Sequence, residues 1–242
     1  QHGDVDPGVV QRTHGCGRLG TDRVGLGERR AGAAVRDQVD HRPAAGRAAH
    51  AVPVLEEGLA LARAAEGADA PVVLSLLHNL GMALTELGDV EAARGAFEET
   101  QAAARRSGDL LLEGRALFGL GNVLELEGAA DRAREHFAAA LDAGRQAGHR
   151  LLQANALSSM ARVDIVSGRP RSAATDLDRA AGLHAQLGTA RDELVARTTL
   201  LQLRLVLDEL EPARRELARI RALLDAGGPA DLAPEADFCT AM

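Results

Sequence analysis

The chain repeats itself every forty residues, and that period limits the fold more than any local motif. Gly88, Gly128 and Gly168 keep this step, as do Gly108, Gly148, Gly188 and Gly228. So do Ala93, Ala133, Ala173 and Ala213; Phe97, Phe137, Leu177 and Leu217; and Leu80, Leu120, Met160 and Leu200. A fixed period of this length is the mark of stacked supersecondary units. Within one unit, Leu77, Leu80, Gly81 and Leu84 fall at i, i+3, i+4 and i+7, the apolar stripe of an amphipathic helix. Gly88 and Gly128 suit a left-handed helix end. Asp89 suits an N-cap for a second helix, whose inner stripe is Ala93, Phe97 and Thr100. Glycine costs about 1 kcal/mol inside a helix. Gly81 and Gly121 therefore imply close approach of a neighbouring helix, expected at Ala93 and Ala133.

The expected fold class is all-α, an α-solenoid of antiparallel helix hairpins. Four full hairpins are read at about 71–108, 110–148, 150–188 and 190–227, with Asp69-Ala70-Pro71 as the start of the first. Before them, Val54, Leu55, Leu59 and Leu61 read as a second helix without its partner. The repeat domain thus spans 51–228, one partial plus four full hairpins. Residues 1–50 read as irregular. Residues 1–49 hold nine Gly and two Leu, with eight Arg against six acidic residues, and no 3.6-residue stripe runs through them. Residues 229–242, with Pro234, read as a loose tail. The chain begins with Gln1 rather than Met, which suggests a piece of a longer protein.

The pattern Leu77…Leu80-Gly81…Leu84…Ala93…Phe97, repeated as Leu117…Leu120-Gly121…Leu124…Ala133…Phe137…Ala140, resembles the tetratricopeptide repeat. The usual unit has 34 residues. The forty-residue unit is similar to the longer-helix versions in large bacterial regulators and kinesin light chains. Leu replaces the family's Trp and Tyr, and its late Pro is absent. The resemblance covers roughly 51–228. It implies a right-handed superhelix whose first helices line a concave surface. It also implies a non-enzymatic protein–protein interaction module, part of a larger regulatory or signalling protein. The alternative is a small-ligand-sensing arm of a transcriptional regulator.

On that surface the face opposite the apolar stripe carries the candidate peptide-binding residues. These are His78, Asn79 and Met82; Arg115, Phe118 and Asn122; Asn155, Ser158, Ser159 and Arg162; and Thr198, Thr199 and Gln202. All three Asn of the chain are among them, and Asn and Gln both donate and accept, which suits a peptide backbone. Phe118 and Met82 can receive an apolar side chain. The chain has no Lys, so the two-lysine carboxylate clamp of some family members is absent.

Other chemistry finds little support. Gly15-Cys16-Gly17-Arg18-Leu19-Gly20 matches a dinucleotide fingerprint, with Asp40 beyond it, but lacks the flanking strand and helix that motif needs. His14 and Cys16 lack a second ligand pair for a metal. Cys16 and Cys239 lie at the two ends and are expected to be unpaired, consistent with a reducing cytoplasm. His78, His136, His149 and His184 read as surface or groove residues. No cofactor and no catalytic residue is expected. The net charge of −7 argues against a general nucleic-acid binder, and no run is long and apolar enough to span a membrane. Finally, Asp164 and Arg204 replace Leu84 and Leu124 in the stripe, and are expected either to pair with each other or to reach solvent.

Overall fold

In a computed structural model the described residues are 42–228, and they form a continuous stack of helices. A long helix, α1 (Arg42–Glu66), comes first. Four hairpins follow: α2 (Pro71–Leu87) with α3 (Val90–Ser107), α4 (Leu110–Leu126) with α5 (Ala130–Gln146), α6 (Arg150–Val166) with α7 (Pro170–Leu187), and α8 (Ala190–Val206) with α9 (Leu210–Asp225). The second helices start at Val90, Ala130, Pro170 and Leu210, in step with the sequence period. Each helix packs on the next in the chain. In addition α2 touches α4 and α4 touches α6 directly, while no two consecutive second helices meet to the same degree. First helices therefore form one layer and second helices the other. The result is the α-solenoid expected from the repeat.

The ends of the elements follow from local chemistry. Asp89 accepts from the Ala92 N–H at 3.2 Å and Asp109 from the Leu112 N–H at 2.9 Å, capping α3 and α4. Pro71 and Pro170 stand in the first turns of α2 and α7, where a missing N–H costs nothing. Gly88, Gly128 and Gly168 close the first three hairpin turns with φ of 77°, 76° and 70°. The fourth turn lacks a glycine, and Asp208 takes the left-handed conformation there at φ 59°. The first helix begins at Arg42, ahead of the onset read near Ala51. Pro53 inside it and Gly46 near its start hid that part of it in the sequence. The fingerprint at residues 15–20, His14, Cys16, Cys239 and the tail 229–242 lie outside the described residues.

Packing is local along the stack. One apolar cluster joins Leu59 of α1 to Leu77 and Leu80 of α2, Phe97 of α3 and Val123 of α4. The next runs from Leu117 of α4 through Phe137 and Leu157 to Ala180 of α7. Smaller ones tie α6–α8 and α8–α9. Each hairpin buries its face only against its neighbours, as a quasi-one-dimensional architecture requires.

The helical glycines answer to a different neighbour from the one expected. A β-carbon on Gly81 would lie 2.8 Å from the Phe97 ring, and one on Gly121 2.5 Å from the Phe137 ring. The small residue thus makes room for an aromatic ring, not for Ala93 or Ala133. Gly119, unremarked in the sequence, meets the other side of Phe97, at 2.4 Å. Where the ring shrinks, the glycine grows: Leu177 and Leu217 stand opposite the positions of Ala161 and Leu201.

The stripe residues Asp164 and Arg204 do not pair with each other: Asp164 is buried and Arg204 is half-buried. Asp164 is fully buried and takes hydrogen bonds from Arg134 Nε (2.8 Å), Arg169 Nε (2.7 Å) and Ser172 Oγ (2.6 Å). Burial alone would raise its pKa, but these three donors outweigh it and hold the carboxyl below the usual range. Arg204 turns to Glu216 at 3.4 Å and to the Pro212 carbonyl at 3.2 Å. Their partners sit on second helices and turns, so side-by-side first helices are not the relevant pairing. The fourth hairpin keeps its face, since Leu200 and Leu203 remain buried where Met160 and Val163 are.

Candidate peptide-binding face

Each first helix presents to solvent the side opposite its buried stripe. Helical spacing places 75, 79, 82 and 86 on that side in α2, and the same places forty residues on in α4, α6 and α8. Asn79 and Arg162 are exposed there. Met82, Arg115, Phe118, Asn122, Asn155, Ser158, Thr198, Thr199 and Gln202 are half-buried. They occupy one face of one helix layer.

Two predicted residues belong to the interior instead. His78 is 7% exposed and leans over Phe97, with ring centroids 5.8 Å apart at 59°. Ser159 is buried at the place where α4 has Gly119, and receives a hydrogen bond from Arg162 Nη2 at 3.3 Å. Others are partly committed. The Thr198 and Thr199 hydroxyls donate to the carbonyls of Leu194 and Val195, at 2.9 and 3.0 Å. Phe118 stacks at a tilt on Phe137, 5.4 Å between centroids. Arg162 also reaches Glu125 of α4 at 2.8 Å, bridging two hairpins. Burial pushes the Glu125 carboxyl up, and Arg162 opposes that shift.

The other histidines have structural roles. His149 caps α6 by accepting from the Leu152 N–H at 3.1 Å. His136 Nδ1 lies 3.0 Å from the Arg132 carbonyl, and buried His184 lies 2.8 Å from Thr189 Oγ1. Among the described residues no cluster of His, Cys, Asp and Glu is arranged to hold a metal ion, and no helix is long and apolar enough to cross a membrane.

His78 gives a direct test of this assignment. Its Nδ1 is buried with no hydrogen-bond partner. Burial, helped by the charge of Arg115, lowers its pKa to about 4 from 6.5. The folded state therefore holds the neutral ring and binds fewer protons than the unfolded chain. The stability tied to it is complete above pH 6.5 and is lost as pH falls toward 4, by about 2 kcal/mol at pH 5. His78→Phe copies Phe118, its counterpart in α4. We expect it to raise stability at pH 7 by about 1–2 kcal/mol and to flatten the slope between pH 6.5 and 5. Urea titration at both pH values checks this; an unchanged slope would place His78 in solvent.

Sequence reasoning searched this face for polar side chains and so missed its aliphatic ones. Leu126, Val166 and Val206 are 55%, 45% and 47% exposed. Each follows a predicted residue, Asn122, Arg162 or Gln202, by one helical turn. The forty-residue step would have found them.

Comparison with known proteins bears on the fold. No protein-family model matches the chain, and no curated protein sequence matches it. Solved structures do resemble it. One is a protein of Podosopora anserina described as a kinesin light chain with nearly identical TPR-like repeats, at 16% identity and TM-score 0.57, covering 85% of this chain and 96% of that one. A point variant of the same protein gives 17% identity and TM-score 0.57, covering 83% and 94%. BtubC (BKLC) from P. vanneervenii gives 15% identity and TM-score 0.65, covering 85% and 88%. At these identities the likeness speaks to architecture: the chain has the fold of tetratricopeptide-like repeat solenoids.

Proposed function

We propose that this chain is a non-enzymatic protein-interaction module whose first-helix face receives a segment of a partner protein. The observation that carries the reading is the continuity of that face. Asn79, Met82, Arg115, Asn122, Asn155 and Arg162 follow one another across three consecutive first helices, exposed or half-buried. A polar row of amide side chains on a rigid scaffold offers donors and acceptors to an extended backbone. The second-helix layer differs: its exposed residues are mostly charged, as Glu98, Glu99, Glu135, Arg171 and Arg215 are. Such a solvated surface requires no partner. We read such a module as part of a larger regulatory or signalling protein, a reading that the resemblance of the repeat supports.

Selection of random peptides on the immobilised full chain tests the proposal. Peptides so recovered should bind Asn122→Ala and Arg115→Ala variants about tenfold more weakly, a loss of about 1.4 kcal/mol per side chain. Glu98→Ala and Glu135→Ala, on the second-helix layer, should leave affinity unchanged. The reverse pattern would move the binding surface to the other layer.

A further inference from the structure

Helix α9 ends the described stack with one side incompletely covered. Leu217 and Leu224 are half-buried there. Their counterparts in the three earlier second helices are buried: Phe97, Phe137 and Leu177 at the first place, and Ala104, Gly144 and His184 at the second. Two contacts show what covers those places. Gly119 of α4 lies against the Phe97 ring of α3, and Leu152 of α6 lies against Gly144 of α5, where a β-carbon would stand 3.3 Å from it. The cover is the first helix of the next hairpin.

The chain beyond Gly228 lies outside the described residues, and its sequence keeps the repeat. Gly228 is in step with Gly108, Gly148 and Gly188, which directly precede the caps of α4, α6 and α8. Ala236 is in step with Ala116, Ala156 and Ala196, all of them buried. Leu232 is in step with Leu112 and Leu152, and Cys239 with Gly119, Ser159 and Thr199, all small. We propose that residues 230–242 seat on the open side of α9 as the first helix of a fifth hairpin, with Leu232 on Leu224 and Cys239 on Leu217.

One antiparallel alignment satisfies both pairs, because they repeat the Leu152–Gly144 and Gly119–Phe97 contacts at the same places. Leu217, Arg221 and Leu224 fall at i, i+4 and i+7 on α9, and Leu232, Ala236 and Cys239 keep the same spacing on the segment. Charge agrees with this alignment, which sets Glu235 opposite exposed Arg221. The segment carries Asp231, Glu235 and Asp237 and no basic residue. The exposed side of α9 carries Arg214, Arg215, Arg219 and Arg221 against Glu211 and Asp225.

Pro229 and Pro234 make the segment read as a loose tail when it is taken alone. Asp231 suits an N-cap, however, and Pro234 then falls in the first turn, where proline is tolerated. Most helical stability comes from the face a helix buries, here Leu232, Ala236 and Cys239. Attachment through Gly227 and Gly228 makes the docking intramolecular, which favours this segment over a separate chain. Asp237 stands where Arg197 of α8 turns to Glu216 of the following helix. Its charge then lies on the outer side, as the last unit of a solenoid requires.

Cys239 reports the seating, because a thiol buried in apolar surroundings is inert and an exposed one is not. The test uses the full chain with Cys16→Ser, which leaves Cys239 as its single thiol. Its alkylation by N-ethylmaleimide should be at least about tenfold slower than in the same protein carrying Ala236→Asp, since the reaction then waits on local opening. Amide exchange on the same pair gives a second reading: α9 should lose protection in the Ala236→Asp protein, and α2–α5 should not. Equal alkylation rates overturn the inference, whether both are fast or both are slow. Protection that fades on dilution, in step with a dimer seen by sedimentation, gives the seat to a second copy and overturns it as well. None of these outcomes bears on the first-helix face, which the peptide selection above decides independently.

Discussion

Replacing Phe97 with alanine is expected to cost about 3–5 kcal/mol, the range for removing a fully buried aromatic ring. The ring is wholly inaccessible and lies between two hairpins, with Gly81 of α2 on one side and Gly119 of α4 on the other. Neither glycine carries atoms that could move into the space. The cavity would open at the junction through which α2 and α4 touch, so the loss should weaken the coupling of the first hairpin to the rest of the stack. Urea denaturation followed by circular dichroism reads the total. Amide exchange should show α1–α3 losing protection before α6–α9. A loss below about 1 kcal/mol would mean that the ring is not the keystone of that junction. The converse change is equally informative. Gly119→Ala would put a methyl group 2.4 Å from a ring atom, and overpacking of this kind costs about 1–3 kcal/mol. Adding Phe97→Leu to Gly81→Ala should recover part of the loss, because Ala161 and Leu177 already make that exchange in the third hairpin.

The period of the sequence made most of this fold legible because each hairpin must present the same faces to the same neighbours. The turns were legible for a local reason: Gly88, Asp89 and Pro170 act through their own backbone, without reference to distant residues. Partners across helices were not. The sequence shows that Gly81 needs a close neighbour but does not say that the neighbour is the ring at Phe97. His78 lies at the flank of the helical stripe, and only its neighbours from other helices, the Phe97 ring of α3 and Arg115 of α4, show that it is buried. The solvent-facing side of the first helices was legible in its polar residues and in Met82 and Phe118, but not in exposed Leu126, Val166 and Val206, which resemble the ends of core stripes when each helix is read alone.

The ionic interior of the last two hairpins was the least legible feature. Arg197 stands where Leu77, Leu117 and Leu157 stand in the earlier hairpins, and Arg204 where Leu84 and Leu124 do. Glu216 stands where α3 has Ala96, and Glu193 where α2 has Val73. No one of these substitutions makes sense singly. Together they form a network: Arg197 Nε meets Glu193 at 2.7 Å and Arg197 Nη1 meets Glu216 at 3.1 Å. Arg204 and Arg219 reach the same Glu216 at 3.4 and 2.7 Å. Glu216 is entirely buried, while Arg219 is half exposed and can hydrate if its partner is lost.

Glu216→Ala should therefore be the most damaging single change in the C-terminal half. It leaves Arg197 with Glu193 as its one remaining carboxylate, and half-buried Arg204 with only exposed Asp178 at 3.5 Å and the Pro212 carbonyl. Removing one partner of a buried pair costs about 3–5 kcal/mol. That figure measures the stranded charges rather than the worth of the network, and the two can be separated. Converting the set to the residues of the first hairpin, with Glu193→Val, Arg197→Leu, Arg204→Leu and Glu216→Ala together, removes every member of the buried set at once. Apolar replacement of a buried ionic group is neutral or stabilising by about 1–4 kcal/mol when the packing is good. The fourfold variant should then be at least as stable as the starting protein, although it contains the most destabilising single substitution. Urea midpoints of the two variants and the parent decide the matter. If the fourfold variant is no more stable than Glu216→Ala alone, the network holds α8 and α9 in a geometry that Leu and Ala cannot pack. The ionic residues would then be needed for the shape of the last hairpin and not merely tolerated in it.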